Sequence, residues 1–101
     1  MKLSQIQTLI AIAESGSIRE AARRLNLTQP ALSKGLQALE SELSVSLVHR
    51  TARGVTLTAF GRAIVARGRG IALEFDRLRD EVEQMRGAEG GRVLLAVAPS
   101  P

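Results

Sequence analysis

The chain has 101 residues, 45% of them hydrophobic and 24% charged, which fits one small folded domain with an appendage and argues against disorder. It has no Cys and a single His, which removes disulfides, thiolate zinc sites and multi-His metal sites, and no catalytic-triad motif is recognisable. No cofactor and no metal are therefore expected, and an enzyme is the least supported class. The net charge is +4 and the isoelectric point about 11.0, which points to a polyanionic partner.

Only Phe60 and Phe75 are aromatic, so the core must come from Leu, Ile, Val and Ala. A domain this small gains from burial against a second subunit. The charges are unevenly spread. No acid lies between Glu42 and Glu74, where Arg50, Arg53, Arg62, Arg67 and Arg69 fall, and between Glu20 and Glu40 the charges are Arg23, Arg24 and Lys34.

Ser4 with Gln7 has the spacing of a helix-starting box. Leu3, Ile6, Leu9, Ile10 and Ala13 then give one apolar face at helical steps, and Gly16 ends the first helix. Ser4, Gln5, Gln7 and Thr8 interrupt what would otherwise be the apolar stretch of a signal peptide, so the segment reads as a helix. The longest apolar run, Val93 to Ala98, is too short to span a membrane. A cytoplasmic location is the expectation.

Ser17 with Glu20 caps a second helix, with Ile18, Ala21, Ala22 and Leu25 inward and Arg19, Arg23 and Arg24 outward. Asn26 suits the left-handed residue that closes it, and Leu27 is expected to plug the turn into the core. Thr28 caps a third helix, with Gln29 and Pro30 in its first turn, where a missing N–H costs little. Leu32, Leu36, Leu39 and Leu43 form its inward stripe, leaving Gln29, Pro30, Ser33, Lys34 and Gln37 on or near the outer face. Gly35 is a weak helix former, open to close approach by a backbone or a phosphate.

Leu47–His49 and Val55–Leu57 are expected to pair as a hairpin with Arg50 to Gly54 as its tip, so that Arg50 and Arg53 protrude. His49 reads as structural or phosphate-contacting. Thr58 starts the longest helix, expected to run to about Arg86. Ile64, Gly68, Ile71, Phe75, Leu78, Val82 and Met85 make a heptad-like seam along it. A seam of that length asks for a partner helix, most simply a second copy, and Gly68 would permit close crossing. Residues 87–91 read as a flexible linker. Arg92 to Val97 reads as the first strand of a further domain, stopping at Pro99-Ser-Pro101.

Two helices joined by a short turn, the second with a polar start, have the geometry of a helix-turn-helix that reads bases in the major groove. The segments AARRLNLTQPALSKGLQALESEL and HRTARGVTLTAFG resemble the N-terminal domain of LysR-type transcriptional regulators, in order and spacing. The resemblance covers Met1 to about Arg86. It implies a mainly α fold: a winged helix-turn-helix (1–57), a long dimerisation or linker helix (58–86), a flexible linker (87–91) and the start of an effector domain (92–101).

It also implies antiparallel pairing of linker helices into homodimers, tetramers of the full-length protein, and a small-molecule inducer bound only by the effector domain. Gln29, Pro30, Ser33 and Lys34 would approach bases of duplex DNA. Thr28, Arg50 and Arg53 would hold phosphates or enter the minor groove, and Ser17, Arg19 and Gln37 complete the expected contact set. Ser44 stands where the family commonly has Gly, and Val48 where it commonly has Phe. The rival reading is a helical oligomerisation or adaptor module whose basic surface has no function; the acid-free span from Glu42 to Glu74 weighs against it.

Overall fold

The computed structural model describes residues 1–96, and side chains as far as Glu89. Its order is α1 (Leu3–Ser15), α2 (Ile18–Arg24), α3 (Gln29–Leu43), β1 (Val48–Thr51), β2 (Gly54–Leu57) and α4 (Ala59–Ala96). α1 is the central element and packs on α2, α3, α4 and β2. It is therefore buried over a broad arc (Ile6, Thr8, Leu9, Ala11, Ile12), while Leu3 and Ile10 are half-buried and Ala13 is exposed. Thr8 satisfies its buried hydroxyl by donating to the Ser4 carbonyl at 3.0 Å. The core closes on Leu9, Ile12, Leu32, Leu36, Leu39 and Leu47, all fully buried.

α1 begins two residues before the Ser4–Gln7 box would place it. Lys2 is its cap, and the Lys2 N–H donates to Gln5 Oε1 at 2.7 Å. An ammonium cannot accept a hydrogen bond, so only this half of a reciprocal box forms. Gly16 ends α1 at φ 68, and its N–H reaches the Ile12 carbonyl. Ser17 caps α2 as expected, accepting from the Glu20 N–H at 3.1 Å. Asn26 closes α2 at φ 56, and the Leu27 N–H reaches back to the Ala22 carbonyl at 2.9 Å. Leu27 itself is 43% exposed, so it does not plug the core; its backbone closes the turn instead.

The two strands pair as Val48↔Leu57, His49↔Thr56, Arg50↔Val55 and Thr51↔Gly54. The hairpin thus turns over two residues, Ala52 and Arg53, rather than over Arg50–Gly54. Thr51 causes the difference: its hydroxyl accepts from the Arg53 N–H at 3.2 Å and donates to the Gly54 carbonyl at 3.1 Å, which carries the pairing up to the turn.

Thr58 caps α4, its hydroxyl accepting from the Gly61 N–H at 3.2 Å and donating to the Ser46 carbonyl at 2.7 Å. α4 has 38 residues, about 57 Å at 1.5 Å per residue, and sets the long axis of a body 62 × 23 × 20 Å. Its first part is docked. Gly61 lies under the Leu47 carbonyl, Val65 is buried, and a Cβ on Gly68 would stand 2.5 Å from Ile6 Cγ2.

Gly68 therefore serves the chain's own α1–α4 crossing rather than a seam between subunits, and Ile64 is half-buried against the same core. The helix neither stops at Arg86 nor gives way to a linker at 87–91 and a strand from Arg92; it continues to Ala96. Each added helical residue gains a local hydrogen bond, whereas a lone strand needs an edge to join. Val97 and the Pro99–Pro101 stop fall outside the described residues.

Candidate nucleic-acid interface

The expected contact residues sit on three short pieces tied to one frame. Thr28 starts α3, its hydroxyl accepting from the Ala31 N–H at 3.1 Å. Pro30 follows inside the first turn. With Leu32, Leu36 and Leu39 buried, the 3.6-residue period turns Pro30, Lys34 and Gln37 to the outside, and all three are exposed. Gln29 is exposed at the helix start and Ser33 is half-buried on the flank. The same strip continues to Ser41, also exposed, one turn past Gln37. Extending the 30, 34, 37 steps by four would have found it in the sequence.

Gly35 lies on the flank that faces α1. The Gln5 Nε2 donates to its carbonyl at 3.2 Å, while a Cβ there would meet nothing within 4 Å. Among the described residues, no group uses the space that Gly35 leaves open. α3 ends at Ser44, which sits at φ 56 with its N–H on the Glu40 carbonyl. That left-handed turn explains why Gly suits the position: a Cβ there costs strain that Gly avoids.

The wing is fixed at three places. Glu40 Oε2 accepts from the Leu47 N–H at 2.7 Å, tying its base to α3. The Val55 N–H donates to the Gly16 carbonyl at 3.1 Å, tying its outer strand to the corner where α2 begins. The Thr58 hydroxyl on the Ser46 carbonyl ties the other end to α4. Ser17 and Arg19, at the start of α2, are thereby brought to the wing side of the domain. A Cβ on Gly54 would stand 2.5 Å from the Gly16 carbonyl oxygen, so this close approach requires glycine.

Arg53 occupies the turn and is exposed, as expected. Arg50 is exposed too, but it lies within β1 opposite Val55 rather than at the tip. His49 is exposed on the other face of the hairpin, beside Thr56.

The electrostatics divide the basic residues into two sets. Arg23 and Arg24 both pair with Glu20, Arg69 pairs with Glu14 at 2.9 Å, and the Arg62 Nη1 donates to the Leu57 carbonyl at 3.0 Å. The hydrogen bond from Arg23, helped by the Arg23 and Arg24 charges against some desolvation, holds the Glu20 carboxyl at about 2. It is ionised at any physiological pH. Much of the positive charge counted in the sequence is therefore neutralised locally. Among the described residues, Arg19, Lys34, Arg50 and Arg53 have no acidic partner. Lys2, Arg62, Arg67 and Arg79 lack an acidic partner too, but Arg19, Lys34, Arg50 and Arg53 lie at the start of α2, on the outer face of α3 and on the wing, where the polar donors also lie.

A family model for the bacterial regulatory helix-turn-helix proteins of the lysR family matches residues 3–62. The chain belongs to the LysR family. Among curated relatives, this LysR-family chain is 42% identical over 98 residues to an uncharacterised HTH-type transcriptional regulator from the ibpB–leuC intergenic region of Azotobacter vinelandii, covering 97% of this chain and 68% of that one. Among solved structures it is similar to the CbnR DBD–DNA complex, with a TM-score of 0.75 and 37% identity over 85% of this chain and 99% of that one. It is also similar to the complex of the BenM DBD with catB site 1 DNA, with a TM-score of 0.78 and 28% identity over 85% of this chain and 97% of that one.

The fold is thus the winged helix-turn-helix of LysR DNA-binding domains, followed by a long helix. The LysR-family chain spans about a third of the length of several curated relatives, such as YbhD of Escherichia coli and YkuM of Bacillus subtilis. Among its described residues no helix is long and apolar enough to cross a membrane.

Proposed function

We propose that the chain is the sequence-specific, double-stranded DNA-binding part of a LysR-type transcriptional regulator, with α3 in the major groove and the wing on the backbone or in the minor groove. The observation that carries this is the coincidence of free cations with exposed donors. Gln29, Pro30, Ser33, Lys34 and Gln37 offer base-edge contacts, with Ser41 beyond them. Arg53 and Arg50 on the wing, Thr28, and Ser17 and Arg19 at the start of α2 supply the phosphate and minor-groove contacts. The CbnR and BenM domains, similar in fold, are solved on DNA.

The exposed seam Ile71, Phe75, Leu78, Val82 and Met85 supports a homodimer through α4 and hence two spaced half-sites on the DNA. Residues 92–101 lead toward an effector domain, where an inducer would bind and through which tetramers would form, in the cytoplasm and without catalysis.

Fluorescence anisotropy on duplex DNA tests this. Affinity should fall steeply with salt, and Lys34→Ala or Arg53→Ala should each weaken binding across sequences and lower the log–log salt slope by about 1. Ser33 or Gln29 changes should shift sequence preference more than affinity. No duplex binding by the wild-type chain at low salt would sink the proposal, and would return the chain to the adaptor reading.

A further inference from the structure

The positive charge of this chain is carried almost wholly by arginine. Of its 14 Lys and Arg residues, all but Lys2 and Lys34 are Arg. A guanidinium stays protonated, whereas a lysine ε-amine can give up its proton and become an amide. Within the set Arg19, Lys34, Arg50 and Arg53, acylation can therefore neutralise Lys34 alone.

Lys34 is also unshielded. It is exposed at the middle of the outer strip of α3 and has no acidic partner among the described residues. Its helical neighbours Pro30, Ala31 and Ala38 are short, and a Cβ on the adjoining Gly35 would meet nothing within 4 Å. Lys2 is exposed as well, but its setting differs. It lies at the start of α1, one residue from the Met1 ammonium that holds the Glu42 carboxylate at 2.7 Å, and that carboxylate is itself 51% exposed.

We propose that Lys34 is a modification site for a small acyl phosphate, and that its acylation switches off the reading of DNA by α3. This rests on the DNA-binding reading above. The neutral Lys34 Nζ adds to the acyl carbon and forms the C–N bond. The acyl C–O bond breaks, inorganic phosphate leaves with its electron pair, and the amine proton passes to solvent.

A surface that collects DNA phosphates also collects a phosphate-bearing reagent, so local concentration favours Lys34. The Glu42 carboxylate near Lys2 repels the same reagent. The product is a neutral amide, which removes one phosphate-neutralising charge and sets an uncharged acyl group between α3 and the groove. Bound DNA covers Lys34 in turn, so acylation and DNA binding exclude each other.

Acetyl phosphate is the probe, with acylation at each lysine followed by peptide mass spectrometry. At low salt Lys34 should react about tenfold faster than Lys2, and the ratio should fall toward one as salt screens the surface. An uncharged acetyl ester should not tell the two lysines apart. Duplex DNA should protect Lys34 and leave Lys2 unprotected. Chain acylated at Lys34, and Lys34→Gln as its mimic, should bind duplex about tenfold more weakly, with the log–log salt slope lower by about 1. Lys34→Arg should bind DNA and keep that binding after treatment with acetyl phosphate.

Equal rates at Lys2 and Lys34 at low salt overturn the proposal. Undiminished duplex binding by chain acylated at Lys34 does so too, as does equal loss of binding by treated Lys34→Arg, which would place the effect elsewhere. The rate ratio is read without DNA, and duplex binding by the untreated chain is measured first. A chain that reacts selectively but binds no duplex fails the DNA reading, and one that binds duplex but reacts indifferently fails this proposal.

Discussion

Helices α3 and α4 carry apolar residues at the same three- and four-residue steps, and the chain treats them in opposite ways. Leu32, Leu36 and Leu39 of α3 are sealed by α1 and α2, so its polar face is what remains to meet a partner. On α4 the chain covers only the beginning, through Gly61, Val65 and Gly68, and Ile71 to Met85 stay open. A periodic stripe thus identifies a helix and its inner face, but not whose surface covers it. Supply of core decides: α1 lies across the first turns of α4, and past Ala72 no element of the described chain lies alongside.

The docked part of α4 should be the most sensitive to change. A methyl group on Gly61 would drive into the Leu47 carbonyl oxygen, which also accepts the Thr58 N–H and so cannot retreat without breaking the cap. Gly61→Ala should cost about 3 kcal/mol or more by the overpacking mechanism, read as a lower urea midpoint. An unchanged midpoint would mean that this end of α4 is loosely held, and the contrast within α4 would collapse.

A paired measurement separates the two stripes directly. Leu36→Ala empties a fully buried site and should cost about 3 kcal/mol at every protein concentration. Leu78→Ala, at a position 58% exposed, should change unfolding by less than about 0.5 kcal/mol in dilute solution. Its effect should appear instead as a loss of the concentration dependence of the melting temperature. Equal costs for the two in dilute solution would break the comparison.

α3 ends on Ser44 at φ 56, a conformation that costs a side-chain-bearing residue about 1 kcal/mol. Ser44→Gly should raise stability by up to about that amount, seen as a higher melting temperature, with the greater freedom of Gly in the unfolded chain offsetting part of the gain. A loss on substitution would show that the exposed Ser44 hydroxyl has a role that no hydrogen bond described for the chain reveals.

Most of the helix-turn-helix frame is legible in the sequence because it rests on local rules. Ser17 and Thr28 cap their helices, Asn26 takes the left-handed turn, and the leucines of α3 face in. What sequence spacing missed depended on contacts across the chain. Gly68 has the seven-residue spacing of a subunit seam, yet Ile6, 62 positions away, occupies it. Arg23, Arg24 and Arg69 count as basic surface until Glu20 and Glu14 are found beside them. Arg50 lies short of the tip because the Thr51 side chain closes the turn, a bond that composition does not encode. The run from Gly87 to Ala96 reads as linker and strand on composition, but backbone hydrogen bonds to the preceding turn extend the helix instead.

The smallest expected effect concerns that hidden neutralisation, and it contrasts the paired cations of α2 with the free Lys34 of α3. Arg23 donates hydrogen bonds to both carboxylate oxygens of Glu20, the longer at 2.9 Å, and lowers its pKa from the ordinary 4.5 to about 2. A carboxyl with a depressed folded-state pKa contributes stability that is present in full above its unfolded value. That contribution drains away as pH falls toward the folded value. The window is therefore about 4.5 down to about 2. The site is solvent-exposed, so the contribution is modest and salt should shrink it. Melting temperatures of wild type and Glu20→Gln should run parallel above pH 5 and converge as the pH falls through that window, more weakly at high salt. Curves that stay parallel to pH 2 would show that Glu20 does not hold Arg23 and Arg24 in the folded chain, leaving those two guanidinium groups as free as Lys34 to meet a phosphate.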